Sequence, residues 1–230
     1  MSRVLVIGDT HCPAMLPQYP EFLDNMYDTW DCDRVVHIGD LADFHAISFH
    51  QKQFGLENVE AEIEMAKAQV LMLTDLFPEV DYLTGNHSAL PVRQAKEVGL
   101  PPSMLLSLSD LMDLPSGWNV HPRHYDLEID GVIYRHGDKG RSNQQNAAFL
   151  NAGLEFSSVV QGHFHAQAGV VYGANHKRRY FGMQVGCGTD PRSPYMSYSS
   201  VYSKRPLLGC GIVIDGEYAT FEPLHLEDYR

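Results

Sequence analysis

The sequence predicts an α/β fold of two packed mixed β-sheets with helices on their outer faces. Three observations predict it. Early apolar runs alternate with segments of helical period, the pattern of parallel strands joined by helical crossovers. Later runs are joined by short turns at Asp130-Gly131 and Asp215-Gly216, which are strong hairpin signals. Five of the runs end in Gly or His beside a residue type that ligates metals. The 230 residues suit one domain spanning 1–230, long enough to bury most of its apolar surface.

Residues 3–7 read as a buried strand. A helix over 19–30 follows, with Phe22, Leu23, Met26, Tyr27 and Trp30 on one face. A strand at 34–38 leads into a His-rich, aperiodic stretch, expected as a lid over 44–58. Val59, Ile63, Ala66, Val70, Leu73 and Phe77 step by three and four, the strongest helix in the chain, and Pro78 stops it. Residues 80–84 form a third strand. The Pro- and Gly-bearing stretch after it is expected as an insertion over the sheet, spanning 88–122. Strands at 125–129 and 132–135 make a hairpin, and Ser142 is placed to cap a helix running to Asn151 with Gly153 as its stop. Strands at 158–161, 168–172, 179–185, 207–214 and 217–222 complete the sheets, with an ordered loop at 186–206. There are no repeats and no linker.

The 17 basic and 29 acidic residues leave a net charge of −12. That weighs against extended nucleic acid as a partner, because such binding neutralises phosphates with Lys and Arg. It does not oppose a small phosphate ester or nucleotide, since bound cations dominate the charge of a metal site. The four cysteines show no CxxC spacing and no signal-peptide pattern precedes them. They read as reduced thiols in a cytoplasmic protein. No apolar run approaches the length of a membrane span.

The chemistry lies at the ends of the five runs. They close on Gly8-Asp9-Thr10-His11, Gly39-Asp40, Gly85-Asn86-His87, His136-Gly137-Asp138 and Gly162-His163-Phe164-His165. Asp9 and His11, two apart, share one side of an extended backbone. Asp40 has two oxygens and can bridge two cations. Asn86 offers a carbonyl, and His136, His163 and His165 offer imidazoles. With no thiolate, the set favours Mn, Fe, Co, Ni or Zn. Two such ions would carry net positive charge against only two carboxylates and would attract a phosphoanion.

Asp9-x-His11, Gly39-Asp40-x-x-Asp43, Gly85-Asn86-His87, His136 and Gly162-His163-x-His165 stand in an order that resembles the calcineurin-like metallophosphoesterase superfamily. These motifs cover residues 8–165. The resemblance implies the superfamily's two-sheet fold and a binuclear centre. One ion would be held by Asp9, His11, Asp40 and His165, the other by Asp40, Asn86, His136 and His163. Hydroxide bound to the pair would be the nucleophile, His87 the general acid, and Asp43 the group that orients His87. Phe44 stands where the protein phosphatases of the superfamily carry Arg, and Ser88 where they carry an acidic residue. The chain therefore looks closer to small bacterial and viral phosphodiesterases. Phosphomonoesterase and DNA or RNA nuclease are the alternatives, and a non-catalytic scaffold the remote one.

Other histidines and cations have blander expectations. His37 reads as a core histidine, and His45 and His50 as exposed lid residues. Lys139, Arg141, Arg178 and Arg179 are as readily solvated as phosphate-binding. Tyr195, Tyr198 and Tyr202 could stack on a base or bury an oligomer contact.

Overall fold

The structure is a computed structural model, and it describes residues 1–49, 52–140, 146–199 and 204–226. In chain order the elements are β1 (Arg3–Ile7), α1 (Tyr19–Thr29), β2 (Arg34–His37), α2 (Val59–Leu76), β3 (Val80–Leu83), α3 (Leu90–Glu97), α4 (Leu108–Leu111) and β4 (Trp118–His121). Then come β5 (Leu127–Ile129), β6 (Val132–Arg135), α5 (Ala147–Glu155), β7 (Ser158–Gln161), β8 (Ala168–Ala174), β9 (Arg179–Val185), β10 (Gly209–Ile214) and β11 (Tyr218–Pro223).

The first sheet has the order β11-β10-β1-β2-β3-β4, and the second β5-β6-β7-β9-β8. Pairs β1–β2, β2–β3 and β3–β4 are parallel, as are β6–β7 and β7–β9, while the hairpins supply antiparallel strands to both sheets. Alternation along β1 shows why the sheets stack. Val4 and Val6 point into an apolar core shared with Val160, Phe181 and Met183 of the second sheet. Leu5 and Ile7 point the other way, into a core shared with Leu23 of α1 and Leu73 of α2. With both faces covered, the strand reads as a continuous apolar run. On the far side α5 packs over β7 and β9. The layers are helix, sheet, sheet, helix, as the sequence predicts.

α2 bears out the periodic reading, with Ala66, Val70, Leu73 and Phe77 all buried. The Asn58 side chain accepts from the Ala61 amide at 3.1 Å, a cap worth about 1 kcal/mol. Two expectations need correction. Gly153 lies inside α5, where a side chain would meet only open space, and the helix ends at Phe156 in a left-handed turn. Ser142, placed as its cap, lies outside the described residues. The stretch expected as an insertion ends in β4, whose Trp118–His121 pair in parallel with β3 and so belong to the sheet itself.

The lid segment also differs from its expectation. Phe44, His45 and Ala46 are buried, and residues 45–47 form a 3₁₀ turn. The Glu62 carboxylate accepts from the His45 amide at 2.5 Å and the Ala46 amide at 2.8 Å, fastening this turn to α2. His45 is thus a packed residue rather than an exposed one, and its ring meets Tyr195 edge-on. His50 lies outside the described residues.

Candidate metal centre

The parallel strands β1, β2, β3, β6 and β7 all end at one rim, so the residues that follow them gather there. This is the edge at which α/β sheets place their sites. Asp9, His11, Asp40, Asp43 and His136 are buried, and His87, Asn86, His163 and His165 are partly so. Their ligand atoms fall into three groups close enough to share an ion: Asp9, His11 and His165; Asp40, His136 and His163; His11, Asp43 and His87.

The Asp9-Thr10-His11 segment is not the extended strand expected. His11 has φ of 47°, and the Thr10 and His11 amides both donate to the Asp40 carbonyl at 3.2 and 2.8 Å. The turn, rather than the period of a strand, brings Asp9 and His11 into one group. Close approach also explains the motif glycines. A Cβ at Gly85 would collide with the Asp40 carboxylate, and one at Gly162 with that of Asp9.

Asp40 is divided between two tasks. Its Oδ1 accepts from the His87 amide at 2.7 Å and the Ser88 amide at 3.2 Å. Its Oδ2 lies 3.2 Å from His136 Nε2 and 3.8 Å from His11 Nε2, which belong to two different groups. Asn86 Oδ1 stands 3.0 Å from the same His136 nitrogen. Asp9 Oδ2 meets His165 Nε2 and the His163 amide, both at 3.0 Å. Asp43 Oδ1 is shared by His11 Nδ1 at 2.6 Å and His87 Nδ1 at 2.9 Å.

These residues fit divalent cations on two observations. His11 Nε2 is buried without a hydrogen-bond partner, although it faces the Asp40 carboxylate. His136 Nδ1 lies 3.3 Å from the Ile38 carbonyl, which makes it the donor and leaves Nε2 a lone pair between two oxygens. Only a proton or a cation relieves that crowding. Burial pulls His136 down, but the charges of Asp40 and Asp9 outweigh it and hold the imidazole up to about 9. His87 is likewise opposed by burial and lifted to about 9 by Asp43 and Asp40. His163, with burial and His136 against it, falls to about 4. Asp40 stays far below the usual carboxylate range, because the imidazoles around it, His136 foremost, overcome the cost of burying its charge.

The rim therefore brings together every residue that the motifs lead one to expect as a ligand, with His87 and Asp43 beside them. His37 is fully buried, as expected of a core histidine, and lies 3.2 Å from Thr10 Oγ1. Lys139 pairs with Asp126, while Arg141 and Tyr202 lie outside the described residues. Tyr195 is buried against Ala14, Met196 and Leu56. Sequence reasoning missed three features. The contact of Asp43 with His11 needs the fold to be seen. The Glu62 clamp was legible in principle, as a charge four residues before Ala66 on the buried face of α2. The Arg93 guanidinium donates to the Asn86 carbonyl at 3.2 Å and lies over the Phe49 ring, 4.9 Å from its centroid. Nothing in the local sequence marks it.

No protein-family model matches the chain. The gene 54 protein of Mycobacterium phage L5 is 31% identical over 206 residues, 80% of this chain and 78% of that protein. Among solved structures, Vacuolar Protein Sorting 29 from Cryptosporidium parvum is 13% identical and covers 97% of each chain, with a TM-score of 0.48. The E. coli phosphoesterase YfcE is 14% identical over 91% of this chain and 87% of that one, with a TM-score of 0.45. Likeness at these identities and scores says nothing about activity. The phage relative carries the kinship, and the five motifs, in order and folded onto one rim, carry its character. The chain belongs to the calcineurin-like metallophosphoesterase superfamily.

Proposed function

We propose that the chain is a metal-dependent phosphodiesterase acting on small phosphate esters or nucleotides. The observation behind this reading is the position of Asp40, whose Oδ2 faces imidazoles of two ligand groups at once. Asp9, His11, Asp40 and His165 would hold one divalent ion, and Asp40, Asn86, His136 and His163 a second. Manganese is the first expectation. When bound, such ions supply Lewis-acid charge at phosphorus and lower the pKa of water.

The chain's own residues supply the rest. Asp43 accepts from Nδ1 of both His11 and His87. That fixes His11 to present Nε2 as a ligand nitrogen, and His87 to exchange its proton at Nε2. His87 would give that proton to the leaving oxygen, acting as general acid. Phe44, at the motif position where the protein phosphatases of the superfamily carry Arg, is buried and supplies no cation for a dianionic monoester. A diester carries a single charge and asks less of the site, which favours it over the monoester. The net charge of −12 favours a small substrate over a polymer.

The test is a rate comparison on manganese-loaded protein with bis-p-nitrophenyl phosphate, p-nitrophenyl phosphate, cyclic nucleotides and single-stranded DNA. The diester should be cleaved fastest, chelator should abolish the rate, and Mn, Co or Ni should restore it. Cleavage of the monoester or the polymer alone would contradict the reading.

A further inference from the structure

We infer that Arg93 binds the phosphoryl oxygens of the substrate, supplying from α3 the cation that Phe44 does not. The inference rests on the phosphodiesterase reading above and names the residue that would recognise a phosphodiester monoanion. Arg3, Arg34, Arg123, Arg135 and Arg192 each pair with a carboxylate. Among the described residues Arg93 meets none. It touches the Asn86 carbonyl and the Phe49 ring, and no described carboxylate pairs with it.

The placement follows from the chain. Asn86 belongs to the second ligand set through its side chain, and its carbonyl takes one N–H of Arg93. A guanidinium has five N–H donors, so this contact orients the fork without exhausting it. Stacking on an aromatic ring holds the plane while leaving the edge donors available. Phe49 is itself presented by a segment tied down on two sides. Glu62 of α2 holds the amides of His45 and Ala46, and Gln94 of α3, next to Arg93, donates from Nε2 to the Ile47 carbonyl at 2.5 Å. A fork so held, adjoining a ligand residue, suits two oxygens of one phosphoryl group. One guanidinium for one negative charge matches a diester.

Manganese-loaded wild type, Arg93→Ala and Arg93→Lys should be compared for manganese content, kinetics on bis-p-nitrophenyl phosphate and inhibition by inorganic phosphate. Arg93→Ala should keep its manganese while KM for the diester and Ki for phosphate rise about 10- to 100-fold, the reach of a charged hydrogen-bonding group. Arg93→Lys should keep its manganese and recover only part of the affinity, because an ammonium restores charge without the fork. Unchanged phosphate inhibition in an active Arg93→Ala would overturn the inference and leave the phosphodiesterase reading standing. Loss of manganese in both variants would overturn it too, making Arg93 a prop for Asn86. A wild type that cleaves no ester would bring down both.

Discussion

The two sheets contribute unlike chemistry to one rim. The first delivers Asp9, Asp40, Asp43 and Asn86 together with His11 and His87; the second delivers only imidazoles, His136, His163 and His165. Two of the three ligand groups straddle the sheets, each joining a carboxylate of the first to imidazoles that include one or two of the second. The third, His11 with Asp43 and His87, lies wholly within the first. The straddling groups exist only when the sandwich is closed, so any metal bound there would couple its binding to folding. The single-sheet group would survive metal loss, which suits it to handling protons. Carboxylates thus sit on one buried wall, and imidazoles face them from the other.

Substitutions can break this division. The largest effect is expected from Asp40→Ala, which removes the carboxylate facing both straddling groups. Its hydrolytic rate should fall to background. A variant retaining more than about a tenth of the rate would show that Asp40 is not shared. His87→Ala strikes the single-sheet group alone. It should keep its metals and lose about 10²–10⁴ in kcat, and an unchanged kcat would remove His87 from the chemistry. Asp43→Asn should cost about 10- to 100-fold in metal affinity or activity, the range for groups that orient a ligand. Because Asp43 serves both a ligand and the proposed acid, the loss should appear in both measurements; a defect in only one would separate roles that are joined here.

The smallest effect concerns stability and lies at the edge of the first wall. Burial lifts the Glu62 carboxyl to about 7, outweighing the two amides that favour its charge. A carboxyl raised in the folded state binds more protons there than in the unfolded chain. Its contribution is therefore full below about 4.5, its ordinary value, and is lost as pH rises through about 7. Thermal unfolding should show a fall in Tm across that window in wild type that is reduced in Glu62→Gln. Equal slopes in the two proteins would place the titration elsewhere.

How much of this was legible in the chain depended on range. α2 could be read because one face of a long helix repeats at fixed spacing, and the ligand motifs because each sits at a strand end beside glycine. β4 escaped notice because Trp118-Asn119-Val120-His121, although it alternates, is only four residues long and follows a Pro- and Gly-bearing stretch. Gly153 was misread because a glycine on an open helix face looks like one that ends a helix. The left-handed turn at His11, the double use of Asp43 and the stacking of Arg93 on Phe49 all depend on residues tens of positions apart. No local pattern encodes them.

Counting the ions that the sandwich holds tests the pairing of its two walls most directly. Metal-free wild type should be dialysed to equilibrium against manganese and its content measured per chain. Two ions per chain are expected, with neither retained tightly when Asp40 is replaced by Ala. Binding of one ion or none by wild type, or an undiminished pair in the variant, would contradict the shared carboxylate.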